Sequence, residues 1–394
     1  MRLLVTTAWY PNHVHPADGN FIQKLVELVA DVHEVTVLCV VSDPDYRAAA
    51  PQLEERQEES GQVVRVTYSA AGNRLSRVWQ RRKAWRLGLK HVSRQYDLVH
   101  GYIVVDGGIA AWRAARTMGV PFLLLEQSTR WHRPWSLLRR PELWLARAAA
   151  RRARFVLTIT TALRESMRRA GVEANYGVLS NVVHAEDFYP PATVDVSPLQ
   201  TFQWLHVSDD SPKKRVDLLL ETFYKLSKTH DFIGLIIAGL PNPDEVRERA
   251  RSVYNRLYPA TPKATDGGDL PWLQLIGERE SSDIGQLMRE ADAFVLTSNL
   301  ETQSVVVLEA QFSGLPTVTT SCGGPETIIA TTGGGIIVDV EDNIGLLEAV
   351  IDVTDAGRAS AEQRAALAKI TRDHYSAAAI KAKLLAYYQQ AVDA

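Results

Sequence analysis

Short runs rich in Val, Ile and Leu alternate with longer amphipathic stretches along the whole chain, and few architectures can bury such a pattern. Residues 2–7 are apolar, a loop at 9–20 holds a single glycine, Gly19, residues 21–30 have helical periodicity, and 34–41 are apolar again. Strand, glycine-bearing loop, helix, strand opens a doubly wound α/β domain, which takes ligands at the carboxyl ends of its strands. Further runs at 63–68, 97–100, 120–126, 155–160 and 176–180 continue the alternation, which resumes at 202–207, 233–238, 273–276 and 293–296. Parallel sheets follow. Tyr189-Pro190-Pro191 reads as a linker, so domains are expected over 1–190 and 191–375, and 394 residues suffice for two cores. The acidic piece 54–59 is expected as a solvated helix or loop, and 259–269 as a polar loop.

The densest chemistry lies in residues 298–326. A helix is expected over about 303–313, because Gly314 suits a left-handed C-terminal position and Pro316 cannot continue a helix. At 100° per residue Val305, Leu308 and Phe312 share an inward face, with Glu309 at its border. Glu301 lies just before the helix, where free amides and the positive dipole end attract a phosphate. That phosphate would stand roughly 7 Å along the axis from Glu309, so two carboxylates would flank a diphosphate and accept hydrogen bonds from sugar hydroxyls. The competing reading makes Val305 to Leu308 a buried strand and both acids surface residues.

Glu301 and Glu309 with Ala310, Gly314-Leu315-Pro316 and Gly323-Gly324-Pro325-Glu326 closely resemble the signature region of glycosyltransferase family 4. The resemblance extends in order over most of the chain. It implies the GT-B fold, an α/β architecture of two doubly wound Rossmann-like domains facing a cleft, and sugar transfer from a nucleotide-diphosphate sugar with retention of configuration. It implies that Glu301 holds donor-sugar hydroxyls, that Glu309 holds ribose hydroxyls, and that the amides of Thr302, Gln303, Ser304 and Val305 hold sugar and phosphates. Gly19 would let backbone approach the donor phosphate. Loops after Gly239 and Gly277, with backbone at Glu278 and Arg279, would line the nucleotide pocket. The terminal helix, in 376–394, would cross back to the first domain.

Two departures from the family pattern stand out. The family presents an arginine and then a lysine as a diphosphate clamp; Lys214 fills the second place, but Asp209 occupies the first. A clamp with one cation replaced by an acid loses attraction, unless Lys213 or Arg215 swings in. On the acceptor side the candidates are His13, His15, His100, Glu126 and Gln127. Many relatives have a histidine where Gln127 stands, and glutamine can hydrogen-bond a hydroxyl but exchanges no proton. Either loop histidine could instead be merely solvated.

Composition excludes several classes. The three fingerprint glycines of a nicotinamide-binding turn are missing. Cys39 and Cys322 show neither metal nor redox spacing, and no histidine pair has ligand spacing, so no metal or cofactor is expected. Asp43-Pro44-Asp45 reads as a turn. No apolar run spans a bilayer and the N-terminus reads as a first strand, so a cytoplasmic location is expected. Residues 1–190 carry 26 Lys and Arg against 18 Asp and Glu, the remainder 18 against 28. The basic excess lies in 74–94, with Trp79 and Trp85, and in 130–154, with Trp131, Trp135 and Trp144. Such helices suit an anionic membrane surface, while solvated faces with core-facing tryptophans are the more ordinary explanation; no nucleic-acid-binding motif is present. The expected partners are a nucleotide sugar and a glycan, lipid-linked or small-molecule acceptor. The alternatives are a degenerate nucleotide-sugar-binding or partner protein, and a nucleotide-sugar epimerase on the same fold.

Overall fold

A computed structural model describes residues 1–16, 18–92, 95–131, 140–183, 186–197, 200–257 and 270–393. Arg94, Arg133, Trp135 and Arg139 of the basic tracts, and the stretch 259–269, lie outside the described residues. The chain divides into two compact units, Met1–Val182 with Ala377–Ala394, and Val183–Ser376.

The first unit is built on an eight-stranded sheet of β1 (Arg2–Thr7), β2 (Glu34–Asp43), β3 (Gln52–Glu58), β4 (Gly61–Ser69), β5 (Leu98–Tyr102), β6 (Phe122–Glu126), β7 (Val156–Thr158) and β8 (Tyr176–Val178). Their order is β3-β4-β2-β1-β5-β6-β7-β8. The central strands are almost wholly buried, as expected for a parallel sheet covered on both faces. The α-helices that follow them among the described residues are α1 (Asn20–Ala30), α2 (Arg74–His91), α3 (Ile109–Met118), α4 (Arg140–Ala150) and α5 (Thr161–Arg169).

The acidic piece is not a helix or loop. It is edge strand β3, paired antiparallel with β4 from Gln52↔Thr67 to Glu58↔Gly61. Its charges are compatible with a strand because they face solvent on an edge, where they also oppose pairing with another chain.

The second unit carries a six-stranded parallel sheet of β9 (Phe202–Val207), β10 (Ile233–Leu240), β11 (Leu273–Gly277), β12 (Ala293–Leu296), β13 (Thr317–Thr320) and β14 (Gly335–Val338), in the order β11-β10-β9-β12-β13-β14. Its helices are α6 (Val216–Leu226), α7 (Pro243–Leu257), α8 (Ser281–Glu290), α9 (Val305–Phe312), α10 (Pro325–Thr332), α11 (Asn343–Asp355) and α12 (Ala361–Tyr375). The unit begins ahead of the proline-rich stretch, because Phe188 is buried in this core, the Asp187 carbonyl accepts from Arg289 at 2.9 Å, and Arg289 lies over the Tyr189 ring.

The last helix, α13 (Ala377–Asp393), buries Ile380, Leu384, Tyr388 and Ala391 in the first unit's core. Tyr387 meets the Phe155 ring edge-on at 5.1 Å.

Candidate active site

In the second sheet β9 has β10 on one side and β12 on the other, so the chain reverses its direction of winding there. Crevices at such switch points, outside the carboxyl ends of the strands, are where doubly wound sheets take ligands. The loops concerned are 208–215 after β9, 297–304 after β12 and 321–324 after β13. They are stitched together: the Asn299 amide donates to the Lys213 carbonyl and the Glu301 amide to the Cys322 carbonyl, each at 2.8 Å. The Thr297 hydroxyl donates to the Lys214 carbonyl at 2.8 Å, and Thr320 to the Ser298 carbonyl.

On this frame Lys214 Nζ lies 2.6 Å from Glu301 Oε1, which also accepts from the Ser298 hydroxyl at 2.9 Å. Both charged side chains are only 13% exposed. The two residues expected at the reaction centre thus form one ion pair. Its lysine can exchange the carboxylate for a phosphate, and the freed carboxylate can accept from hydroxyls.

The helix beside this pair begins two residues later than expected. Val305, expected to face inward, is 38% exposed, and Val307 takes the buried place with Leu308 and Phe312. The reason is the turn before it: Ser304 has a left-handed backbone, φ 65°, so Val305 starts the helix at the surface. The first-turn amides of a helix have no partner in its own ladder and suit an anion. Ser304 itself is buried with an unpartnered hydroxyl, Gln303 is buried, and Thr302 and Glu309 are partly buried. Gly324 lies against this turn; a Cβ on it would come within 2.5 Å of the Gln303 carbonyl carbon. At the far end Gly314 has φ 73°, as its C-terminal position requires. Arg364, unsuspected from sequence, is buried there and donates to the carbonyls of Ser313, Met288 and Ala291.

Asp209 builds its own loop: its carboxylate accepts from the Ser211 amide at 3.0 Å and from the Ser211 hydroxyl. Burial pushes that carboxyl up, but the Ser211 bonds and the charges of Lys214 and Lys213 outweigh it and hold it below the usual range. Arg215 does not turn to Lys214. Its guanidinium donates to the Val340 carbonyl and to Asn343, so Lys213, which is exposed, is the cation left to assist. Gly239 has φ 87° and stands beside the Ser208 carbonyl; Gly277 ends β11, with Glu278 and Arg279 exposed after it.

Sequence reasoning also missed His206, which ties β9 to β12 beneath the crevice. Its Nδ1 lies 2.8 Å from the Val295 carbonyl and its Nε2 2.7 Å from the Ser208 hydroxyl, and burial drives its pKa down to about 4. The available signal was a histidine inside the otherwise apolar run Phe202–Val207.

In the first unit the acceptor-side candidates separate. His100 is fully buried, pairs with the Tyr388 hydroxyl at 2.8 Å, and has its pKa pushed down by burial to about 3. It is a neutral core residue, not one open to an acceptor, because β5 is covered on that side by α13. Glu126 is equally buried, and its carboxylate accepts from the amides of Val104, Gln127 and Ser128 at 2.7 to 2.9 Å. Burial raises its pKa against the pull of these bonds. It pins the chain after β6 rather than offering itself to a hydroxyl. Gln127 is 6% exposed and neither end of its amide is hydrogen-bonded, so its capacity is unspent. His13 is exposed and lies 3.0 Å from Asp43, which also holds the turn at Asp45 and Tyr46; His15 is exposed. Gly19, φ 74°, precedes α1 and packs against the Trp9 carbonyl, leaving no room for a Cβ. Among the described residues no three His, Cys, Asp or Glu side chains cluster as a metal site. No helix among them is long and apolar enough to cross a membrane.

Residues 22–181 match the glycosyl transferase 4-like domain, and residues 201–355 match the glycosyl transferases group 1 family. The chain is 31% identical over 83 residues to UDP-Gal:alpha-D-GlcNAc-diphosphoundecaprenol alpha-1,3-galactosyltransferase of Escherichia coli, a match covering 21% of this chain and 21% of that protein. The chain thus spans about a fifth of the length of the first curated relatives it matches. Among solved structures, sucrose-phosphate synthase from Thermosynechococcus elongatus superposes with a TM-score of 0.70 at 17% identity, covering 99% of this chain and 98% of that one. Anabaena Alr3699/HepE in complex with UDP and glucose does so with 0.64 at 16% identity, covering 98% and 99%. The chain has the GT-B fold, with two Rossmann-like sheet domains, and is related to the group 1 and type 4-like glycosyltransferases.

Proposed function

We propose that the protein is a retaining glycosyltransferase that moves a sugar from a nucleotide-diphosphate sugar to a hydroxyl of a glycan, lipid-linked or small-molecule acceptor. The observation that carries this reading is the Lys214–Glu301 pair at the switch point of the second sheet, beside the N-terminal end of α9. Lys214 meets the leaving diphosphate with Lys213 nearby, and the amides from Thr302 to Val305 hold sugar and phosphate oxygens. Glu301 accepts from donor-sugar hydroxyls and Glu309 from the ribose. Backbone after Gly239 and Gly277, with Glu278 and Arg279, surrounds the base. In the reaction the bond from the anomeric carbon to the diphosphate oxygen breaks while the bond to the acceptor oxygen forms on the same face. The acceptor's proton passes to the departing phosphate. His13, His15 and Gln127 are the acceptor-side groups kept in this reading, and the protein works in the cytoplasm, at an anionic membrane face where the acceptor is lipid-borne.

Calorimetry against UDP, GDP and ADP tests the donor side. One of the three should bind, and Glu309→Ala should weaken it by about 1–3 kcal/mol through lost charged hydrogen bonds. Unchanged affinity would remove Glu309 from the ribose. A second reading, a nucleotide-sugar-binding protein without turnover, is favoured by Asp209 standing where the family clamp has an arginine. Release of nucleotide diphosphate in the presence of acceptors separates the two.

A further inference from the structure

A second concavity lies within the first unit, between α2, α3 and α4, with a volume of about 250 Å³. Its floor is apolar: Val78, Trp85, Val105, Ile109, Ala110 and Leu145. Arg74, Arg81, Arg82 and Arg113 stand around it, together with the carboxylates of Asp106 and Glu142. Arg81 is neutralised by Asp106. Among the described residues the guanidinium groups of Arg74, Arg82 and Arg113 make no ion pair, and α2 contains no acid. Arg113 faces Arg82, Arg86 and Arg116; burial and then the repulsion of these three cations push its pKa down. Four guanidinium groups against two carboxylates leave a net positive charge beside a low-dielectric floor, which attracts an anion. Beside the opening, apolar side chains point into solvent: Leu75 is 80% exposed, Trp79 56% and Trp144 65%, with Lys83 over the Trp79 ring.

We propose that this cavity binds a lipid phosphate drawn from a bilayer surface. Arg74, Arg82 and Arg113 take the phosphate, and Val78, Ile109 and Leu145 take the first methylenes of the chain. Leu75, Trp79 and Trp144 rest in the interface, where tryptophan and basic side chains together are favoured. The cavity lies below the roughly 300–1,000 Å³ usual for a whole small-molecule ligand, so it suits the head end of a chain-bearing molecule and not a nucleotide sugar. Only in taking the bound lipid as the acceptor does this rest on the transferase reading; the binding itself does not.

The test is calorimetric titration of the full chain with dodecyl phosphate below its micelle concentration, beside inorganic phosphate and dodecyl maltoside. Dodecyl phosphate should bind at least about tenfold more tightly than either, since each comparator lacks one half of the recognition. Arg82→Ala with Arg113→Ala should weaken it by about tenfold or more. Val78→Asp, on a half-exposed helix position, should weaken it as well, and both variants should melt with the wild type. The proposal is overturned if dodecyl maltoside binds equally, or if neither variant changes the dodecyl phosphate affinity. Titrating UDP, GDP and ADP into the same samples keeps the two readings apart. Lipid binding without any nucleotide binding sinks the donor site alone, and nucleotide binding without lipid binding sinks the lipid site alone.

Discussion

Both sheets carry candidate residues on loops at strand ends, yet Lys214 and Glu301 in the second unit satisfy one another, whereas Arg74, Arg82 and Arg113 in the first share one cavity with Asp106 and Glu142 and make no ion pair among the described residues. The second unit's pair is compensated before any ligand arrives, so the fold carries little electrostatic strain and ligand binding is an exchange of partners. The first unit holds its polar groups in two opposite states. The Glu126 carboxylate accepts from three backbone amides, while the side-chain amide of Gln127 next to it has no partner. A site that exchanges partners should respond to mutation chiefly in turnover, and one that waits for a counter-ion chiefly in binding and salt dependence.

The sharpest way to break that contrast is to remove one half of the pair. Glu301→Ala should lower turnover by about 10²- to 10³-fold or more, the scale of losing one preorganised contact to the reacting sugar, while nucleotide diphosphate affinity is kept. Lys214→Ala should lower both. If instead both variants mainly lower the melting temperature, with residual turnover per folded molecule unchanged, the pair is structural, since breaking a mostly buried pair one-sidedly leaves an uncompensated charge.

A backbone test comes next. Gly324→Ala places a Cβ against Gln303, so either loop 321–324 or the turn at Ser304 must move. We expect a loss of about 1–3 kcal/mol, the usual scale for forced backbone strain, together with weakened nucleotide binding. Denaturant unfolding read beside calorimetry checks it; stability lost with nucleotide affinity intact would detach this turn from the phosphates.

How much of this was legible in sequence depends on how local each feature is. Strands such as β1 and β9 and the end of α9 at Gly314 were legible because apolar runs and helix-stop residues act over a few positions. Edge strand β3 was not: its residues are charged, and only pairing with β4 makes them a strand. The start of α9 was misplaced because nothing in a serine announces a left-handed backbone. Glu301 and Lys214 were each legible by resemblance, but their pairing joins residues 87 positions apart. The unit boundary depended on where Phe188 packs, and the first unit's cavity on three helices distant in sequence, so neither could be read from spacing.

His100 and His206 give a smaller effect, present in both units. Each is held neutral by burial, with folded values of about 3 and about 4 against an ordinary 6.5. Below pH 6.5 the unfolded chain binds a proton that the folded chain refuses, so stability falls as pH drops from 6.5 towards the folded values. Each histidine should cost on the order of 1–3 kcal/mol by pH 4. Melting curves against pH should show a flatter acid limb in His206→Asn than in the wild type. An unchanged slope would mean that His206 becomes charged in the folded protein.

Asp209 should produce the smallest change, because two consequences of replacing it oppose each other. An arginine there would add a cation near Lys214, where the family clamp has one, and would remove a carboxylate that repels phosphate. The same substitution deletes the acceptor that holds the Ser211 amide and hydroxyl, and so loosens the loop that carries Lys214. A charged hydrogen bond gained is worth about 1.5–3 kcal/mol and a loop bond lost about 0.5–1.5, so Asp209→Arg should tighten nucleotide diphosphate binding by no more than about tenfold. Asp209→Asn removes the charge and keeps an oxygen for Ser211, and so isolates the repulsion from the loop. If Asn tightens binding and Arg weakens it, the loop decides the affinity; if neither moves it, the phosphates do not lie at the end of β9, and the matched pair of the second unit serves the fold alone.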